Sequence, residues 1–299
     1  MKVIKPTAIT QAMLTASTAA EPGAGEAVWS AGTTYAVDVN VILASTNRVS
    51  QSLQAGNRAR APAPSPLWWV DTGPTNRWAM FDQQVSTLTT LASPLSVSIA
   101  PGAINSLALL GAVGATATVT MLDAPGGALV YSATASLDSS IVTDWWQYYF
   151  EPIVLTGELV FTNLPSYRNG VISVTITGTG TVSCAGLVVG AVYDLGPTNM
   201  GAKIGMVDFS RKDTDAFGVT TFVKRAFSKR VTAEFYVTTP ALSKIQQLLA
   251  GLRATPCVWI GSEQSAYASL IVFGFYRDFS ITVAYPNYNL CNLDIEGLT

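Results

Sequence analysis

Histidine is absent from all 299 residues. That absence removes Ser-His-Asp and Cys-His catalysis, His-ligated zinc, a proximal haem ligand and the usual proton switch near neutral pH. Charge is scarce too. Charged residues make up 12% and the net charge is −2, against about 25% charged residues in an average soluble domain. A hydrophobic content of 49% excludes a disordered polyelectrolyte. So small a net charge argues against a dedicated nucleic-acid binder, which neutralises phosphates with clustered Lys and Arg. Cysteine is limited to Cys184, Cys257 and Cys291, with no CxxC spacing. A dithiol redox motif or zinc ribbon is therefore out, and the three read as small buried hydrophobes of a chain assembled in a reducing cytoplasm. Long apolar runs are missing. The nearest, Leu107 to Val119, is broken by Gly111, Gly114, Thr116 and Thr118, so no membrane span of roughly 18 residues is expected. Ala8 to Ala16 contains Thr10, Gln11 and Thr15 and lacks the compact apolar centre of a leader peptide.

What charge there is lies segregated. Residues 78–195 hold seven acids and one base, Arg168, a net of −6. Residues 203–253 hold nine bases and four acids, a net of +5. A repeat marks the joints: Asp71-Thr72-Gly73-Pro74-Thr75-Asn76 recurs as Asp194-Leu195-Gly196-Pro197-Thr198-Asn199. Gly-Pro punctuates turns, because proline fixes φ and restricts the residue before it. The two copies bracket a domain-sized piece, either as two similar turns or as the entry and exit of an inserted domain.

The periodicity is mostly that of strands. Thr116, Thr118 and Thr120 alternate with Ala117, Val119 and Met121, and Ile172, Val174 and Ile176 alternate with Ser173, Thr175 and Thr177. Period two marks a half-buried strand. Asp123 to Gly127 reads as a turn into a returning strand at Ala128 to Ser132. Gly178-Thr179-Gly180 reads as the turn of a second hairpin, returning over Val182 to Val189. Later strands are expected at Arg230 to Val237 and at Leu270 to Ala284, the latter broken near Arg277-Asp278. One helix is expected over 240–250, capped by Thr239, with Pro240 in its first turn, Gly251 at its end and Leu242, Ile245 and Leu249 on one face. The fold class is thus mainly β. An extended arm (1–28) and a small β module (29–70) precede a jelly-roll-like β-sandwich (71–199) and a C-terminal β domain with one packed α-helix (200–299).

Catalytic motifs are poor. No phosphate-binding GxxxxGK[ST], dinucleotide GxGxxG or GxSxG elbow occurs. Asp213 and Asp215 stand two apart in Arg211-Lys212-Asp213-Thr214-Asp215, which reads as a charged hairpin loop ahead of Gly218. A glycosidase built on distant carboxylates is the one enzyme class left open; the chain is read as a non-enzyme without cofactor or metal. The basic residues Arg211, Lys212, Lys224, Arg225, Lys229 and Arg230 admit two main readings. One is a solvated face paired with Asp208, Asp213 and Asp215. The other is a subunit interface meeting an acidic neighbour. Nucleic acid ranks below both, since no aromatic interleaving accompanies the charge. Trp145-Trp146-Gln147-Tyr148-Tyr149-Phe150 packs five aromatics into six residues. In a strand both faces would be aromatic, which suits a central buried strand or a subunit contact; a sugar-stacking platform is the functional alternative.

Two resemblances follow from particular residues. Trp29-Ser30-Ala31-Gly32-Thr33-Thr34-Tyr35, a Val-rich strand, Gln51-Ser52-Leu53 and the closing Trp68-Trp69 resemble a small chitin-binding-type module. The match is degenerate: Asp38-Val39 stands where that family has Gly-Asp, and Ser50 where it usually has a second Tyr. The resemblance implies Trp29, Tyr35, Trp68 and Trp69 as glycan contacts and a host-surface glycan as ligand. Trp78-Ala79-Met80-Phe81-Asp82, Asp208-Phe209-Ser210-Arg211-Lys212, Lys224-Arg225-Ala226-Phe227-Ser228-Lys229-Arg230 and Cys291-Asn292-Leu293-Asp294-Ile295-Glu296-Gly297-Leu298 look like minor tail proteins of tailed bacteriophages. That resemblance implies a virion component of the tail tip or baseplate, assembled in the host cytoplasm. It would form homo-oligomers around the distal tail and contact hub, tube or neighbouring baseplate proteins. The alternative it leaves is a carbohydrate-binding receptor-recognition protein displayed on the tail. With no histidine and no thiol spacing for a metal, elemental analysis and absorbance spectra of the purified protein are expected to show no stoichiometric metal and no chromophore. Stoichiometric zinc would refute that expectation.

Overall fold

The computed structural model describes residues 1–23, 27–138, 143–150, 156–214, 217–283 and 285–298. The chain opens with β1 (Lys2–Pro6) and β2 (Leu14–Ser17). A small unit follows, with β3 (Ala27–Val28), β4 (Thr34–Tyr35), β5 (Asn40–Leu43), β6 (Arg48–Ser52), β7 (Asn57–Arg58) and β8 (Trp69–Pro74). Strands β3, β5, β6 and β8 form one sheet in that order, and β4 pairs with β7. Tyr35, Val41 and Trp69 are its core. The rings of Tyr35 and Trp69 meet edge to face at 5.3 Å, a favoured geometry for two quadrupoles. The Trp69 indole N–H donates to the Arg60 carbonyl at 2.9 Å.

The middle of the chain supplies β9 (Thr89–Ala92), β10 (Leu95–Ile99), β11 (Ser106–Leu110), β12 (Thr116–Leu122), β13 (Leu129–Ser136), α1 (Trp145–Phe150), β14 (Leu159–Phe161), β15 (Val171–Thr177), β16 (Thr181–Cys184) and β17 (Gly186–Asp194). One sheet runs β13-β12-β15-β10-β2. Its inner face presents Val97, Ile99, Val119, Met121, Val174 and Ile176 to Leu107, Leu109, Leu187 and Val189 of β11 and β17, a β-sandwich core. Its outer face carries cross-strand hydroxyl pairs: Ser96 with Thr175 at 3.0 Å, Ser98 with Ser173 at 2.8 Å, Thr116 with Thr177 at 2.7 Å and Thr118 with Thr134 at 3.0 Å. The Ser and Thr alternation is thus a ladder of polar pairs on the open side. The expected second hairpin is corrected. The chain after Gly180 does not return along β15; it divides at Ala185, β16 pairing with β9 and β17 with β11 and β1. Residues 182–190 are buried throughout, so they have no solvent face and cross between layers.

The last third supplies β18 (Lys203–Asp208), β19 (Arg211–Thr214), β20 (Thr220–Val223), β21 (Phe227–Thr238), α2 (Leu242–Gly251), β22 (Cys257–Ile260), β23 (Ile271–Thr282) and β24 (Tyr288–Gly297). A nine-stranded sheet runs β14-β11-β17-β1-β22-β23-β24-β21-β18. Of the residues read as an arm, Lys2–Pro6 lie inside it, β1 being antiparallel to both β17 and β22, while β2 joins the five-stranded sheet. Val3 and Ile4 are fully buried on opposite faces, Val3 in the core under α2 and Ile4 among Leu110, Val258, Ile260 and Phe273. Helix α2 lays Ile245 and Leu249 on a core that includes Phe235, Trp259 and Cys291. Its start differs from the expected one. A 3-10 turn over Thr239–Ala241 precedes it, and the Thr239 hydroxyl donates to the Pro286 carbonyl at 2.9 Å instead of capping the helix. The expected break at Arg277-Asp278 is a shift of register between Tyr276 and Asp278 within the single strand β23; Ala284 lies outside the described residues. The aromatic run is also corrected: Trp145–Phe150 is the short helix α1, not a central strand. Asp144 accepts a hydrogen bond from the Gln147 amide at 2.8 Å, which suits a helix start.

Both copies of the repeat form the same turn. Asp71 accepts from the Gly73 amide and Asp194 from the Gly196 amide, each at 2.9 Å, and both glycines have positive φ, +131° and +123°. The three cysteines are buried and unbridged. Burial pushes the Cys184 thiol up to about 12, and the Cys257 and Cys291 thiols up to about 11.

Gly190 fixes how closely β17 and β1 approach. A Cβ there would stand 1.9 Å from the Lys5 carbonyl oxygen. Gly190→Ala is expected to cost about 1–3 kcal/mol, read as a lower urea midpoint. Gly205→Ala on β18, where a Cβ meets nothing within 4 Å, is expected to leave the midpoint nearly unchanged. Equal effects from the two would show that the β1–β17 approach is not tight.

Candidate functional site

The six basic residues divide once they are placed. Beyond β18 the chain leaves the nine-stranded sheet as the hairpin β19–β20, paired from Arg211↔Val223 to Thr214↔Thr220. Its base is closed by the Phe209 amide donating to the Ala226 carbonyl at 3.2 Å. Arg211 pairs with Asp213 of its own strand at 2.5 Å. Lys212, Lys224 and Arg225 are exposed, and among the described residues no ion pair involves them. Lys229 and Arg230 stand on β21 and are tied into the fold. Lys229 pairs with Glu158. Arg230 holds Asp294 of the neighbouring strand through Nε at 3.0 Å and Nη2 at 2.5 Å. The hydrogen bond from Arg230 keeps the Asp294 carboxyl below the usual aspartate value. Of the carboxylates expected to answer the cluster, Asp208 accepts from the Ser210 amide at 2.8 Å and is held below the usual aspartate value by Ser210 and, to a smaller extent, by the Lys224 charge; Asp215 lies outside the described residues.

The surface around this hairpin is apolar. Strand β18 ends the nine-stranded sheet, and Ile204 and Met206 on it are exposed, as is Met200 just before it. Phe222 is 75% exposed, and Phe209, Val223 and Phe227 are exposed as well. Isolated exposed hydrophobes are ordinary, whereas a contiguous set marks a contact surface. A cleft of about 530 Å³ opens at the start of β18, lined by Lys2, Met200, Ile204, Glu263 and Tyr267 among others. Burial raises the Glu263 carboxyl, but hydrogen bonds from Lys2 and Thr162 outweigh it and hold it below the usual value. A general acid requires the opposite shift.

The four candidate glycan contacts are not equivalent. Tyr35 and Trp69 are 6% and 4% exposed; both are committed to the module's own core. Trp29 and Trp68 pack half-buried against them. The Arg60 guanidinium covers the Trp68 ring at 3.4 Å from its centroid, a cation–π contact that occupies one face. The missed feature is α1. Trp145, Trp146, Tyr149 and Phe150 are all 65–77% exposed. The signal that could have found it is the Asp144/Gln147 start, since β-propensity alone favours a strand for such residues.

Comparison with known proteins adds no family: the scan against family models and the search of curated proteins both find no match.

The division of the cluster has a pH signature. Asp294, held low by Arg230, contributes stability that is full above the ordinary aspartate value and is lost as pH falls through its lowered one. Arg230→Ala is expected to lower the urea midpoint at neutral pH and to shrink the drop between neutral and acid pH. Lys224→Ala with Arg225→Ala is expected to change neither. Identical curves for the two variants would contradict this division.

Proposed function

We propose that the chain is a structural component of a bacteriophage tail tip or baseplate, forming multimers around the distal tail and linking the tube to host-recognition parts. The observation that supports this reading best is the apolar, basic projection formed by β18 and the β19–β20 hairpin. Phe222, Phe209, Met206 and Ile204 are exposed on this projection, and aromatic and Met side chains are enriched where subunits meet. Behind it, ion pairs and close glycine contacts join segments distant in sequence. The resemblance to minor tail proteins supplies the setting. The glycan-receptor alternative draws less support, because two of its four aromatic contacts are interior.

The test is localisation and form. Antibody against the chain, seen by electron microscopy on virions of the encoding phage, is expected to label the tail tip. The purified chain is expected to give closed multimers in negative stain. Label on the capsid or its absence from virions would sink the proposal.

A further inference from the structure

Two excursions of the sequence have neighbouring feet. The first holds α1 between Leu137 and Thr156, the Leu137 carbonyl accepting from the Thr156 amide at 2.7 Å. The second is the β19–β20 hairpin, rising from Asp208 and Phe227, which are paired across β18 and β21. Glu158, two residues beyond the first foot, is ion-paired with Lys229, two residues beyond the second. Both flank a groove of about 290 Å³ that also touches Gly111, Ala226 and Phe227.

The two excursions are opposite in charge and alike in aromatic content. Residues 138–158 hold Asp138, Asp144, Glu151 and Glu158 and no base. Residues 209–228 hold four bases and two acids. On α1 the rings of Trp145 and Tyr149 stack at 6.3 Å and those of Trp146 and Phe150 meet at 5.9 Å, two adjacent pairs whose members are each four residues apart, about one turn. On the hairpin, Phe222 stands across from Lys212 in the pairing register and near Lys224 in sequence. Although the feet adjoin, Trp146, Phe150 and Phe222 remain 65–75% exposed. The fold thus leaves both surfaces open to solvent.

We propose that these surfaces mate between copies: the hairpin of one subunit docks on the α1 excursion of the next. The occupant is a second copy because each surface supplies what the other lacks. Lys212, Lys224 and Arg225 are opposite in sign to Asp138 and Asp144, and their cations suit an exposed indole such as Trp146. The size is adequate. Four aromatics of α1, 65–77% exposed, offer roughly 500–600 Å², more than half of the about 800 Å² per partner of a stable interface. Two different patches in contact make a heterologous interface, which propagates head to tail and closes into a ring when the rotation allows. The inference rests on the structural reading above and names the contact that would build its multimer.

Charge reversal in two halves tests it on the full chain. One variant carries Lys224→Glu and Arg225→Glu. The other carries Asp138→Lys and Asp144→Asn, the asparagine keeping the helix cap. Sedimentation should show the wild type assembling with concentration. Each variant alone should associate at least tenfold more weakly with an unchanged circular dichroism spectrum. An equimolar mixture should recover assembly, since reversed hairpins then meet native helices' opposites in alternation. Trp146→Ala, which leaves charge untouched, should weaken assembly as well. The contact is wrong if either charge variant assembles like the wild type, or if the mixture does no better than its parts. It is also wrong if the wild type stays monomeric while co-sedimenting with phosphatidylglycerol vesicles, which would make the surface a lipid contact. A failed mixture leaves tail-tip labelling standing, and failed labelling leaves the sedimentation result standing.

Discussion

Strand β1 is the splice on which the architecture depends. Without it the nine-stranded sheet would end at β17 on one side and at β22 on the other, each with an open row of amides and carbonyls. An unpaired buried backbone group costs about as much as a lost hydrogen bond. β1 satisfies both rows at once and fills both faces, Val3 toward α2 and Ile4 toward the opposite core. Glycine permits the fit. Gly190 lets β17 approach Lys5, Gly196 lets the second repeat pass under the Tyr236 carbonyl, and Gly274 lets β23 lie against the Glu296 carbonyl. The same tight joints make the sandwich and the helix-backed region one continuous sheet.

That splice explains which elements could be read from sequence. β12 and β15 were legible because one face meets water, so their Thr and Ser alternate with apolar residues. β11 and β22 are buried along their whole length, as are Val3 and Ile4 of β1 and Gly186–Gly190 of β17, and Ser106–Leu110 and Cys257–Ile260 show no alternation at all. A strand of this kind has only its neighbours to define it. Residues 1–28 therefore read as an arm, although both β1 and β2 are paired. The aromatic run failed for another reason: composition favours a strand, whereas the local Asp144 and Gln147 chemistry decides for a helix.

The candidate site was legible as a concentration of charge and not as an arrangement. Six bases within twenty residues stand out in a charge-poor chain. Sequence offers Asp208, Asp213 and Asp215 as nearby partners, and Arg211 does take Asp213, but the fold answers Lys229 with Glu158 and Arg230 with Asp294, which lie 71 and 64 residues away. Pairing across a sheet depends on strand order, which no local pattern reveals. Tyr35 and Trp69 were likewise legible as aromatic and illegible as core, because a small module must spend its large rings on itself to bury enough surface.

The ion pairs then separate two uses of charge. Lys2 with Glu263, Lys229 with Glu158 and Arg230 with Asp294 each join segments far apart in sequence and lie on or beside the nine-stranded sheet. Their exposed geometry contributes little energy individually, so their effect is register: they define which strand edges and loops adjoin. Lys212, Lys224 and Arg225 form no ion pair among the described residues, although the Lys224 charge helps to hold Asp208 low, and they stand on or beside a hairpin that leaves the sheet. A chain this sparing with charge keeps three cations in water beside exposed phenylalanines, where neither group helps the isolated fold. Solvation alone would account for the cations, but not for Phe222, and apolar collapse would account for Phe222, but not for the cations. The partner surface proposed for them, α1 with its flanking Asp144, would offer a carboxylate and exposed rings in one place.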